Sequence, residues 1–146
     1  MLYEDDEHLP QIKLIDFGCA KTYLPGEIMT NCCGSMFYIA PEVWFNYYNH
    51  QCDVWSIGII IFALVNGRFP FDDKDETKIE GKIKNKKLKF KKKEKKLVSK
   101  PFRKLIKALL CKDANKRITA KLCFSKLIQL LTVTSTQTQS SIHSSN

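Results

Sequence analysis

The longest apolar run in the chain extends from Val54 to Val65 and is broken only by Ser56 and Gly58. Asp53 stands in front of it as a good N-cap, and Asn66-Gly67 follows as a good C-terminal stop. The pattern predicts a helix beginning at Asp53 that is apolar on all sides, hence buried or membrane-spanning. The run falls short of the roughly 20 residues a bilayer crossing needs, so a buried helix and no transmembrane segment are expected. Upstream, Ile12-Lys13-Leu14-Ile15 reads as part of a short buried strand over residues 11–15, with a strand end and an acidic turn over residues 1–10. A short amphipathic helix is predicted from Glu42 to Tyr48, and a further one over 75–85 with Ile79 and Ile83 one turn apart. Ser99 caps the next, with Pro101 in its first turn and Phe102, Leu105, Ile106, Leu109 and Leu110 forming one apolar face. Thr119 caps the last, through Leu122, Phe124, Leu127, Ile128 and Leu131. From Thr132 the chain is rich in Ser, Thr and Gln and poor in apolar residues, so residues 132–146 read as a disordered tail. The sum is a mainly α domain over residues 1–131 with a short strand pair at its N-terminus.

Composition changes this picture little. With 146 residues, 44% of them hydrophobic, the chain can bury one real core. The net charge of +9 is concentrated between Lys82 and Lys104, whereas Glu4-Asp5-Asp6-Glu7 is acidic. The lysine run reads either as a patch for anionic lipid or nucleic acid or as a solvated loop with Leu88, Phe90 and Leu97 as its anchors. A single aromatic, Phe90, is too few for a stacking platform, so no nucleic-acid partner is expected. The six cysteines form no C-x-x-C pair and have no histidine at ligand spacing, which argues against structural zinc. No secretory leader pattern opens the sequence. Reduced thiols in a cytoplasmic or nuclear setting are the default. No EF-hand loop is present.

The candidate chemistry lies between Asp16 and Glu42. An aspartate at a strand end, followed by a bulky apolar residue and a glycine, suits metal holding: the carboxylate is a hard oxygen ligand for Mg²⁺, the phenylalanine anchors the turn in apolar surroundings, and the glycine frees the backbone. Asp16-Phe17-Gly18 is followed by Ala40-Pro41-Glu42, then by D-V-W-S-I-G from Asp53, G-x-x-P-F from Gly67, and an arginine turn, Asp113 to Ala120. One tripeptide is weak evidence, but five motifs in this order are specific. Together they resemble the large lobe of a serine/threonine protein kinase catalytic domain over roughly residues 1–131. The form Gly34-Ser35-x-x-Tyr38-x-Ala40-Pro41-Glu42 is similar to that of the calcium-dependent and calcium/calmodulin-regulated group. Two departures are Ala114, where a proline is usual, and Phe124-Ser125-Lys126, where many relatives carry His-Pro-Trp.

The resemblance implies a partial protein-kinase-like fold, large lobe only, acting with ATP and Mg²⁺ on protein substrates. In it Ile15 and Asp16 lie on the nucleotide side, with Asp16 the metal ligand. Phe17, Gly18, Thr30, Gly34, Ser35, Tyr38, Ala40, Pro41 and Glu42 belong to the activation and substrate segment, and Ser35 is the hydroxyl that bonds the catalytic aspartate. Thr30 is a phosphosite candidate by position or an unmodified loop residue. Asp53 and Arg117 are structural, Asp53 as a cap that also bonds the catalytic loop, and Arg117 as the partner of Glu42. The sequence holds no H-R-D, no glycine-rich loop and no ATP-anchoring lysine; these are expected upstream of Met1, so no catalytic residue is assigned within it. Two functions follow: part of an active kinase, or a non-catalytic module used as a binding surface. A regulatory domain or calcium sensor outside this chain is the further partner class implied.

Overall fold

The helix at the centre of the computed structural model, α1, spans Gln51–Asn66. It starts two residues before the expected cap. Asn49 supplies the early contact, its Oδ1 accepting the Gln51 N–H at 3.0 Å. Asp53 therefore sits inside the first turn, exposed, where its charge suits the positive end of the helix. The other end is as predicted: Gly67 takes φ 65° and its N–H closes on the Ala63 carbonyl at 2.8 Å.

The structure describes the backbone of residues 2–4 and 10–143 and the side chains of residues 12–132. Two three-residue strands, β1 (Leu2–Glu4) and β2 (Pro10–Ile12), pair antiparallel with Leu2 opposite Ile12. Residues 5–9 of the expected acidic turn lie outside the described residues. After α1 come α2 (Ile79–Asn85), α3 (Lys92–Leu97), α4 (Lys100–Leu109) and α5 (Ala120–His143). The chain is mainly helical, with the strand pair at its N-terminus.

α1 is half buried rather than buried all round. Trp55, Ile59 and Phe62 are fully covered, and pack with Ile79 and Ile83 of α2, Phe71, Phe90 and Ile106. Ile57, Ile60 and Leu64, on the other side, are exposed, Leu64 to 78%. Val54 joins Leu105 and Leu109 of α4, Ile118 of the following turn and Cys123 of α5 in a second cluster. Gly58 is required here: a Cβ on it would stand 2.9 Å from Leu109 Cβ, so only a glycine lets α1 and α4 approach this closely.

Four further expectations need correction. The strand ends at Ile12, and Ile12, Leu14 and Ile15 are exposed; the apolar spacing was right, but no other described element covers them. Residues 42–48 hold only a 3-10 turn, Val43–Phe45, which Asn46 stops by entering the left-handed region at φ 53°. Leu97 is 80% exposed and the adjacent Val98 fills the core instead. The last helix runs on to His143 instead of giving way to a tail at Thr132, since no Gly or Pro between Ala120 and His143 stops it. Cys123 is buried and Leu127 and Leu130 are half-buried against the core, while Leu122, Phe124, Ile128 and Leu131 are exposed. As expected, Thr119 Oγ1 accepts the Leu122 N–H at 3.3 Å and Ser99 accepts that of Phe102.

Candidate functional site

The segment from Asp16 to Glu42 changes character along its length. At its start Asp16 adopts φ 61°, a conformation L-residues seldom take but which Asp and Asn enter most readily. Its Oδ1 accepts the Gly18 N–H at 3.2 Å, and the Ala20 N–H closes the turn on the Phe17 carbonyl at 2.9 Å. The backbone bend thus resides in Asp16 rather than in Gly18. Phe17 is 69% exposed and Ile15 64%, so the expected apolar anchoring of this turn is not found among the described residues. Asp16 presents an exposed carboxylate to solvent.

Next comes a polar loop held at three points. Pro25-Gly26 forms the predicted turn, with Gly26 at φ 86° and the Glu27 N–H bonding the Leu24 carbonyl at 2.9 Å. Glu27 returns to Lys21 at 2.6 Å, and this bond holds the Glu27 carboxyl below its usual range. Met29 and Tyr48 exchange two backbone bonds, of 2.8 and 3.1 Å, and the Tyr48 hydroxyl donates to the Asn31 carbonyl. Thr30, exposed, lies between these anchors.

From Gly34 the segment enters the core. Gly34 takes φ 110°. Ser35 is exposed, and its carbonyl accepts the Tyr38 N–H at 2.9 Å. Ser56 of α1 donates to the Tyr38 carbonyl at 2.9 Å. Phe37 stacks on Phe69 with centroids 4.8 Å apart, and Tyr38 meets the same ring edge-on at 5.5 Å. Ala40 and Pro41 are buried. Glu42 then meets Arg117 through both oxygens, at 2.5 and 2.8 Å, with the arginine side chain fully covered. Two further guanidinium donors go to the Gln51 carbonyl at 2.7 Å and the Cys111 carbonyl at 2.9 Å. Gln51 answers with its amide to the Arg117 carbonyl at 3.1 Å. Two residues 75 positions apart are joined, and the turn carrying Arg117 is fixed against the start of α1.

Gly34, Ser35, Tyr38, Ala40 and Asp53 all line one cavity of about 360 Å³, together with Cys19 and Lys21. Gly18 and Thr30 line the neighbouring recess of about 300 Å³. Pro41 and Glu42 line a third recess, and Ile15, Asp16 and Phe17 line none of the three.

Known proteins give the same answer as the motifs. The protein kinase domain family matches residues 1–127. The chain belongs to the protein kinase family. Among its relatives, calcium-dependent protein kinase 11 of Oryza sativa subsp. japonica is 38% identical over 109 residues, 75% of this chain and 19% of that protein. The probable serine/threonine-protein kinase fhkE of Dictyostelium discoideum is 40% identical over 113 residues, 74% of this chain and 16% of that protein. Serine/threonine-protein kinase PEPKR2 of Arabidopsis thaliana is 39% identical over 110 residues, covering 75% and 23%. The chain spans 16–24% of the length of these and similar relatives. What it holds is the large-lobe part of a kinase, with Asp-Phe-Gly, Ala-Pro-Glu and the arginine turn on the elements described above.

Several residues that build this kinase segment escaped the motif reading. Gln51 and Tyr48 were legible only as polar positions beside an apolar helix. Glu94 was the better signal, as the lone acid between Glu80 and Asp113 in a run of lysines. It is buried, takes both the Nε and Nη2 donors of Arg68 at 2.7 and 3.0 Å, and ties the lysine-rich stretch to the end of α1. That stretch is thus not merely a solvated loop. Among the described residues no cluster of three or more His, Cys, Asp or Glu could hold a metal, and no helix is long and apolar enough to cross a membrane.

Proposed function

We propose that this chain forms the metal-ligand and peptide-acceptor side of a serine/threonine protein kinase of the calcium-dependent type, which transfers the γ-phosphoryl group of ATP to a Ser or Thr hydroxyl of protein substrates. The observation that carries this is the Glu42–Arg117 pair. It fixes the Gly34-to-Glu42 stretch on α1, so that Gly34, Ser35 and Tyr38 present one preformed wall to an acceptor peptide. Asp16 fits the role of Mg²⁺ ligand: its carboxylate is exposed and, among the described residues, engaged only by one backbone N–H. A single carboxylate suits this ion, which keeps most of its waters and takes its other ligands from phosphate oxygens. The bound ion supplies charge neutralisation at the phosphates; the chain's own residues orient the acceptor. Protein substrates, and a regulatory domain or calcium sensor, are the partners this reading calls for, in the cytoplasm or nucleus.

A second reading, a non-catalytic binding module, draws on the absence of H-R-D and of a glycine-rich loop from the 146 residues. Phosphoryl transfer needs those parts together with the metal ligand. Transfer of radiolabelled phosphate from ATP to a basic Ser/Thr peptide, by the 146-residue chain and by the longest reading frame that contains it, separates the two. The chain alone is expected to be inert. A frame that contains H-R-D is expected to be active and to lose activity on Asp16→Asn. Turnover by the chain alone that vanishes in its Asp16→Asn variant would show the catalytic residues to be misassigned, and an H-R-D-containing frame that is inert supports the binding module.

A further inference from the structure

Four of the six cysteines lie on or beside the Asp16–Glu42 segment, and all are free thiols. Cys19 directly follows the Asp-Phe-Gly turn, and Cys33 directly precedes Gly34. Fourteen residues apart in sequence, they meet in space: the Cys33 Sγ lies 3.9 Å from the Cys19 carbonyl oxygen. Both thiols are exposed, and both residues line the two adjoining recesses of the segment. The approach is built rather than incidental. The Met29–Tyr48 bridge and the Tyr48–Asn31 bond hold the stretch before Cys33, and the Phe17–Ala20 turn holds Cys19.

The other candidates differ. Cys52 is partly buried on α1, and burial together with Asp53 pushes its thiol up to about 12, leaving it unreactive at neutral pH. Cys123 is buried in the second core cluster. Cys32 is exposed beside Cys33, but it lines neither recess.

We propose that Cys19 and Cys33 are a redox modification site at which a peroxide oxidant joins the two thiols in a disulfide. The bond closes residues 19–33 into one loop and ties the Asp-Phe-Gly turn to the acceptor wall. This goes beyond the kinase reading and does not depend on it. The Cys19 thiolate attacks a peroxide oxygen; the O–O bond breaks, one oxygen remains on sulfur as the sulfenic acid, and the other leaves as water after taking a proton. The Cys33 sulfur then attacks the sulfenic sulfur, the S–S bond forms, the S–O bond breaks, and a second water leaves. Two thiols lose two electrons and two protons, and one peroxide becomes two waters. Attack by Cys33 first, with Cys19 resolving, gives the same disulfide and the same balance. Thr30 and the Pro25-Gly26 turn lie inside the closed loop; Ser35 lies just outside.

Hydrogen peroxide titration of the full 146-residue chain tests this, with alkylation of remaining thiols, tryptic digestion without reduction and mass spectrometry of the monomer fraction. The expected product is peptide 14–21 joined to peptide 22–68, two hydrogens lighter than their sum and separated again by dithiothreitol. It should persist in Cys32→Ser and Cys52→Ser and disappear in Cys33→Ser. A link that survives Cys33→Ser, a Cys32–Cys33 bond in place of the link, or oxidation of Cys19 to sulfinic acid without any link would each overturn the proposal.

Discussion

Asp16 and Glu42 are both motif acids, one at each end of the same segment, and the fold treats them in opposite ways. Glu42 is clamped by a fully covered arginine, which in turn is bonded to two backbone carbonyls and set over the Trp55 ring at 5.3 Å. Asp16 faces solvent in a left-handed bend, with exposed Ile15 and Phe17 on either side. The distinction is one of who supplies the partners. Everything that orders Glu42 comes from α1 and the turn before α5, so that end is self-sufficient. Under the proposed kinase reading, the ion and phosphates that would order Asp16 are not protein groups. The Glu42 end of the segment is therefore clamped by protein groups, whereas the Asp16 end lies open to solvent.

The sharpest way to break the comparison is to remove one partner of the clamp. Arg117→Ala or Glu42→Ala is expected to destabilise the chain by about 3–5 kcal/mol, since it leaves a covered charge unpaired. Urea unfolding followed by tryptophan fluorescence reads this directly, and Trp55 lies beside the arginine. A loss below about 1 kcal/mol would mean that water replaces the missing partner.

A smaller effect is expected at the buried acid Glu94. Arg68 holds the Glu94 carboxyl below its ordinary range, with the Lys91 N–H assisting. A carboxyl depressed in the folded state contributes stability that is present above its unfolded pKa, about 4.3, and is lost as the pH falls through the folded value. Glu94→Gln should cost about 1.5–3 kcal/mol at neutral pH, as for a hydrogen bond to a charged group, and its difference from wild type should shrink as the pH falls below about 4. Thermal melts of both proteins across that range test it; a difference that does not change with pH would remove the ionic explanation.

The smallest effect belongs to the Asp16 end. Asp16→Asn should change stability by less than about 0.5 kcal/mol, because the position is exposed and Asn enters the left-handed region as readily as Asp. Leu14→Ser should be equally mild, since Leu14 is 84% exposed. Its measurable consequence is reduced self-association in light scattering, because exposed apolar clusters promote contact between molecules. A loss of more than about 2 kcal/mol in either variant would show that this end is packed after all.

Much of the framework was determined by the sequence itself. The stop at Gly67, the caps at Ser99 and Thr119, the Pro25-Gly26 turn and the pairing of Glu42 with Arg117 rest on local chemistry or on motif residues, and all appear in place. Local rules work there because capping and turn formation involve atoms only a few residues apart. Tertiary structure alone decided the rest. The apolar pattern of α1 demanded cover on every side, yet it could not specify which faces α2 and α4 would cover and which, at Ile57, Ile60 and Leu64, stay open. Leu97 and Val98 are neighbours of similar character, and only the path of the chain before α4 chooses between them. Asp53 and Asn49 compete for the start of one helix, and the anchoring of Gln51 to Arg117 favours the earlier start. The meeting of Cys19 with Cys33 is invisible in their spacing. It depends on where Tyr48, outside the loop, pins Met29 and Asn31. In each case the sequence encodes a preference, and the choice among equal preferences lies with residues far away along the chain.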